Sequence, residues 1–137
     1  MTNMPPTEIS DKALDLLQRP LTCALITVMP DGQPQATPVW FDFDGENIRF
    51  NTAAGRQKVR NMERDSKVTI SIIDPQNPFH WLEWRGHIAE VRDESQGARE
   101  HVTALHQRYT GQPPSAEMFA DEQRLMYIVA PDKVNAH

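Results

Sequence analysis

The chain has one cysteine, Cys23, so no disulfide can close within it, and its place in the apolar run 21–29 marks it as core filling in a reducing environment. Base is in deficit, with 14 Lys and Arg against 19 Asp and Glu and a net charge of −5. That balance argues against nucleic acid as the main partner, because phosphate backbones are bound by surplus base. No apolar run approaches the ~20 residues that span a bilayer. The opening, Met1 to Glu8, is polar and proline-bearing, without the basic and apolar regions of a secretion signal. No serine sits in a nucleophile elbow, and no glycine pattern matches a P-loop or dinucleotide fingerprint. The five histidines include no i, i+4 pair of the zinc-binding kind, so most are read as solvated surface groups and no metal site is expected. These absences leave one soluble cytoplasmic domain over residues 1–137, long enough to bury about two-thirds of its unfolded surface.

What is present is a series of alternating runs punctuated by turns. Ile9, Ala13, Leu14, Leu16 and Leu17 recur at helical spacing between Thr7 and Arg19, with Ser10 as cap and Pro20 as stop. Residues 21–29, 35–43 and 47–52 read as strands joined by turns at Pro30-Asp31-Gly32 and Asp44-Gly45, a three-stranded meander. A helix over 55–65 follows, then strands over 67–74 and 79–91 separated by a loop at Pro75–Pro78, with Gly86 as a bend in the second. Composition predicts a helix over 94–110 stopped by Gly111, a proline-containing connection over 112–120 and a strand over 124–130, with Pro131 opening a tail. Strands and helices do not alternate strictly, so the expected fold is mainly β with peripheral helices, an antiparallel barrel.

The most informative stretch is Asn51-Thr-Ala-Ala-Gly-Arg-Gln-Lys-Val-Arg-Asn61, where a strand ends and a helix opens with glycine, arginine and lysine at the junction. Unpaired N–H groups and the positive end of the helix dipole make such a junction fit for a phosphate, and Gly55 admits close backbone approach. Arg56 can grip two oxygens through its planar fork while Lys58 adds a point charge. The plainer alternative is a solvated basic helix face, with Arg56, Lys58, Arg60 and Arg64 opposite Glu63 and Asp65. Trp40 follows Pro38-Val39 in mid-strand, where Pro38 cannot donate to a sheet, so the strand is bulged or edge-like there. A flat cofactor could lie on that backbone, or Trp40 could simply pack the barrel. Trp81 and Trp84, three apart on a strand, face opposite sides, one toward the core and one toward a surface.

Together, Asp31-Gly-Gln-Pro-Gln-Ala-Thr-Pro-Val-Trp-Phe41, Asn51-Thr52 with Gly55-Arg-Gln-Lys-Val-Arg-Asn61 and Arg64-Asp65, and Trp84-Arg-Gly86 resemble the split β-barrel flavin and deazaflavin oxidoreductases. This is the superfamily of pyridoxamine 5′-phosphate oxidase, and the resemblance points to its F₄₂₀-dependent reductases. It implies an FMN-binding type of split barrel, a homodimer with cofactor sites at the subunit interface, and a flavin-like coenzyme, F₄₂₀ (a deazaflavin) ahead of FMN. By position, Arg56 and Lys58 match the phosphate-binding base and Asn51, Thr52 and Gly55 the backbone beside it. Pro38, Val39 and Trp40 match the segment lining the ring, Trp81 a contribution from the second subunit, and Asn61 a structural helix position.

The oxidases carry an extended C-terminal segment for the substrate phosphate, whereas this sequence stops at His137 soon after its last strand, so pyridoxamine phosphate oxidation is not expected. The implied reaction is hydride transfer between the coenzyme and a small unsaturated organic substrate. No catalytic side chain is assigned. An FMN oxidoreductase or a non-catalytic coenzyme carrier remain the alternatives.

Overall fold

The computed structural model describes residues 8–137; Met1 to Thr7, which hold the polar opening and the expected first position of the leading helix, lie outside the described residues. The leading helix, α1 (Asp11–Leu17), starts where the Ser10 hydroxyl accepts the Ala13 N–H at 3.2 Å. It buries Ala13, Leu16 and Leu17 against the sheet. The strands are β1 (Cys23–Val28), β2 (Pro34–Val39), β3 (Phe41–Phe43), β4 (Ile48–Ala53), β5 (Lys67–Asp74), β6 (Asn77–Arg92) and β7 (Arg124–Ala136). Two further helices are α2 (Gln57–Arg64) and α3 (Ala98–Thr110). All seven strands form one antiparallel sheet in the order β2-β1-β5-β6-β7-β4-β3.

That order corrects the expected meander. The run 35–43 is two strands, β2 and β3, which sit at opposite edges of the sheet although only Trp40 separates them. A chain can pass in one residue from one edge to the other only if the sheet curls until its edges adjoin, and this curling makes the split barrel. Two local causes are visible. Pro38 offers no donor, and the backbone at Phe41 is held by the Tyr109 side chain, whose hydroxyl accepts the Phe41 N–H at 3.1 Å and donates to the Leu21 carbonyl at 2.6 Å.

Three boundaries also differ from expectation. Pro75–Pro78 is a tight turn, since Asn77 already pairs with Asp74 and opens β6. The helix expected over 94–110 is divided by Gly97 at φ 101 into a 3-10 turn, Glu94–Gln96, and α3. Pro131 opens no tail: it pairs with Gly86, and β7 runs on to Ala136 beside β6. The register of β6 against β7 shifts at Arg85/Gly86, the expected bend. A Cβ on Gly86 would lie 2.3 Å from the Ala130 carbonyl oxygen, so only glycine fits that approach.

The core lies inside the curl, with Phe41, Phe50, Ile70, Ile72, Leu82, Trp84 and Val129 buried and Phe50 stacked on Tyr127 at 5.2 Å. Trp84 is the inward tryptophan, whereas Trp81, half-buried, stacks on the His137 ring at 4.6 Å. Cys23 is buried, its thiol pushed up to about 12 by burial, as core filling requires. Helix α2 is fastened to the sheet by buried Asn61, whose Nδ2 donates to Thr27 Oγ1 at 3.0 Å and Gln35 Oε1 at 3.2 Å. This is the structural role expected of Asn61.

Candidate functional site

A cavity of about 470 Å³ opens at the mouth between the β2–β3 crossing, the end of β4, the start of α2 and the inner side of α3. Pro38, Val39 and Trp40 line it from the crossing, Asn51 and Thr52 from β4, and Arg56 and Lys58 from the junction. Residues marked on separate stretches of the sequence thus meet in one place. Gly55, with φ 88, makes the turn just before Arg56. Trp81 does not line this cavity.

Base gathers at one end. Arg56 is the N-cap of α2 in extended backbone, and no side chain caps the first turn. Lys58, only 9% exposed, has no carboxylate within ion-pair range among the described residues; burial pushes its ammonium below the usual lysine range, and the charges of Arg56 and Arg124 add to this. Arg124, the first residue of β7, supplies a third cation with its side chain 8% exposed. Its Nε donates to Asn51 Oδ1 at 2.9 Å, and its guanidinium lies over the Phe119 ring at 4.9 Å. Among the described residues one carboxylate pairs with these side chains: Glu122 reaches Arg56 at 3.0 Å and Arg124 at 3.4 Å, while Glu94 accepts the Arg124 backbone N–H at 3.1 Å.

Asn51 contributes its side chain as well as its backbone. Its Nδ2 donates to the Ala98 carbonyl at 2.8 Å and faces His101 Nδ1 at 3.2 Å, so Nδ1 is the acceptor and the ring proton sits on Nε2. That Nε2 stands 3.3 Å from Asp42 Oδ2, within ion-pair distance but without a well-aligned hydrogen bond. Asp42 also takes a two-pronged contact from Arg49 at 2.8 Å. Burial works against the carboxylate, but His101 and Arg49 outweigh it and hold it at about 2.

The other end of the cavity is apolar and aromatic. Trp40 stacks on Tyr109 at 4.8 Å and meets His106 edge-on at 5.9 Å, Val102, Leu105 and Met118 extend the wall, and Phe119, beneath the Arg124 guanidinium, joins it to the basic end. The arrangement can hold an anion at the basic end and a flat apolar body along the Pro38–Trp40 strip.

Several site residues escaped the sequence reading. His101 and His106 are buried on α3, not solvated as expected of most histidines. His106 Nδ1 hydrogen-bonds the Gln112 carbonyl at 2.7 Å, so the ring is fixed by the turn after the helix. Arg124 and Tyr109 gave no signal either, since each is a single polar residue on an otherwise ordinary element. A helix with apolar Ala98, Val102 and Leu105 does place His101, His106 and Tyr109 near that side, and this periodicity was the available clue.

Comparison with known proteins accords with this geometry. The profile of the pyridoxamine 5′-phosphate oxidase family matches residues 9–137, and the chain belongs to that family. Its fold is similar to that of an F₄₂₀ reductase at 35% identity, covering 93% of this chain and 98% of that one with a TM-score of 0.79. A conserved hypothetical protein from Mycobacterium tuberculosis aligns at 23% identity over 99% of this chain and 89% of its own, with a TM-score of 0.76. General Stress Protein 26 from Bacillus anthracis aligns at 16% identity over 92% and 91%, with a TM-score of 0.69. The last two show the fold alone. No curated protein matches significantly. No helix among the described residues is long and apolar enough to cross a membrane.

Proposed function

We propose that the protein is an F₄₂₀-dependent oxidoreductase that transfers hydride between the deazaflavin and a small unsaturated organic substrate. One observation carries the reading: a basic cluster of Arg56, Lys58 and Arg124 closes one end of a cavity whose other end is a flat aromatic and apolar wall. Lys58, largely buried and without a carboxylate partner among the described residues, supports the reading, since an arriving anion would meet its charge. The 35% identical F₄₂₀ reductase favours the deazaflavin over FMN.

In this reading Arg56, Lys58 and Arg124 hold the coenzyme's phosphoryl group, and the uncapped first turn of α2 adds its N–H groups. Pro38, Val39 and Trp40 support the ring, with Trp40 kept in orientation by its stack on Tyr109. When bound, the coenzyme supplies a hydride-carrying carbon, and the protein's part is to bind, orient and exclude water. Asn51 keeps Arg124 aimed through Nε, so the guanidinium would be oriented to hold the anion. The working unit is a homodimer with two cofactor sites at the subunit interface, where Trp81 contributes from the second subunit.

The test is titration of the purified protein with F₄₂₀ and with FMN, followed by fluorescence. Saturable F₄₂₀ binding, with turnover of an enone or quinone acceptor, is expected. Tighter FMN binding with a yellow protein would transfer the assignment to a flavin enzyme, and tight binding without turnover of any acceptor to a carrier. Sedimentation at micromolar concentration should give twice the 15.7 kDa chain mass, and a strict monomer would remove the shared site.

A further inference from the structure

We infer that Glu122 is a built-in occupant of the anion seat, which a phosphoryl group must displace, and that it thereby selects phosphate over simple carboxylates. The inference rests on the reading of the basic cluster as a coenzyme-phosphate site and adds the residue that sets what enters it.

The geometry is that of a bridging ligand. The two Glu122 oxygens go to different cations, Oε2 to Arg56 Nη2 at 3.0 Å and Oε1 to Arg124 Nη1 at 3.4 Å. Two oxygens of one phosphate would span a pair of guanidinia in the same way. Yet the carboxylate does not satisfy the cluster. Three cations face one anion, and Lys58, more than nine-tenths buried, is left without a carboxylate partner among the described residues. A phosphoryl group, with more acceptor oxygens than a carboxylate, can keep both arginine contacts and add Lys58.

Departure of the side chain requires little else to move. The Glu122 backbone is held separately, its carbonyl accepting Arg99 Nη2 at 2.7 Å, while the same guanidinium takes the Phe119 carbonyl at 3.2 Å and pairs with Glu94. The Glu122 side chain is 29% exposed and Arg56 53% exposed, so both can swing toward water, and an ion pair so placed is weak. Arg124 stays aimed during the exchange because Asn51 holds its Nε from the other side. A free monocarboxylate gains nothing by entering, since it repeats contacts that a tethered carboxylate already makes at an effective concentration on the order of millimolar. Phosphate gains the Lys58 contact, and that difference is the selection.

If the tethered carboxylate competes with ligand, apparent affinity is reduced by the fraction of molecules with the seat open. Glu122→Gln and Glu122→Ala should therefore bind F₄₂₀ and FMN about threefold to tenfold more tightly than the parent protein. Asp121→Asn removes a neighbouring exposed charge that touches neither arginine, and it should change affinity less than about twofold. Equal or weaker binding by Glu122→Gln would overturn the inference, showing a residue that positions the arginines instead. An equal gain in Asp121→Asn would overturn it too, since the effect would then be general charge. Where neither coenzyme binds any variant, yet inorganic phosphate raises the unfolding temperature of Glu122→Gln more than that of the parent, the coenzyme assignment falls and the seat stands. A crystal of the parent protein soaked in phosphate gives a readout free of variant folding. The anion should lie between Arg56 and Arg124 with Glu122 turned out, and Glu122 still bridging them with the anion elsewhere would refute the exchange.

Discussion

Replacement of Lys58 by methionine separates the needs of the fold from those of the site. In the folded chain the Lys58 side chain is largely buried, its ammonium at the cavity wall beside the charges of Arg56 and Arg124 with no carboxylate partner among the described residues, so its charge is a liability before any ligand binds. Methionine keeps the stem length and removes the charge. Exchanging buried charge for well-packed apolar volume is neutral or stabilising, and here about 1 kcal/mol of gain is expected, about 3 °C in Tm for a chain of this size. The same change deletes a charged hydrogen bond to the bound anion, which costs about 1.5 to 3 kcal/mol, or roughly tenfold to hundredfold in Kd. The sign of the pH effect follows from the lowered lysine value. The penalty is complete below the folded-state pKa and is relieved as pH climbs through it toward 10.5, so the stability difference between Lys58→Met and the parent should shrink over that interval. Calorimetry in phosphate-free buffer and fluorescence titration with F₄₂₀ measure the two halves. A variant less stable than the parent that binds coenzyme equally well would refute the argument, since Lys58 would then be a structural residue.

Arg56→Ala should weaken coenzyme binding by about 1.5 to 3 kcal/mol in the same titration, and unchanged affinity would count against the site. Asp42→Asn should lose about 2 kcal/mol of stability at neutral pH, because the carboxylate held at about 2 against an ordinary 3.8 contributes stability above 3.8 and loses it as pH falls toward 2. Denaturant titrations of parent and variant should therefore diverge at pH 7 and converge near pH 2. Gly86→Ala should cost about 1 to 3 kcal/mol in the denaturant midpoint, since the new Cβ would press on the Ala130 carbonyl oxygen in a paired strand that cannot move aside.

Local signals carried most of the elements. Ser10, Gly111 and the alternating runs put α1, the end of α3 and most strands near their observed places, because caps, turns and side-chain alternation act over a few residues. The exit of the chain from one sheet edge to the other at Trp40 did not show. The apolar alternation of 35–43 passes through Trp40 unbroken, and one of the two features at the break, the Tyr109 hydroxyl, lies 68 residues away. The proline at 131 misled for a related reason. Pro131 pairs opposite Gly86, where a register shift has already opened the ladder, so its missing donor is tolerated there and β7 continues. The junction residues Asn51 to Lys58 stood out because the proposed anion site takes this part of its lining from consecutive residues. Arg124 and Glu122 did not, since they reach the same point from the start of β7 and the segment just before it, far along the chain.

That distant contribution explains why the site residues are so firmly tied to one another. Arg49, Asp42, His101, Asn51 and Arg124 form a continuous chain of polar contacts across β3, β4, α3 and β7, ending at the proposed anion seat. Each link is partly or wholly buried, so an unmatched member would bear a desolvation cost with no water to offset it. The aim of Arg124 is therefore set by the packing of α3 on β4, through Ala98 and His101, as much as by its own strand. Loosening α3 should misdirect a guanidinium to which α3, among the described residues, makes no hydrogen bond of its own. An Asn51→Leu exchange, near in size but unable to bond, would strand both Arg124 Nε and the His101 ring. Coenzyme affinity and stability should then fall together, the opposite of the divergence expected at Lys58.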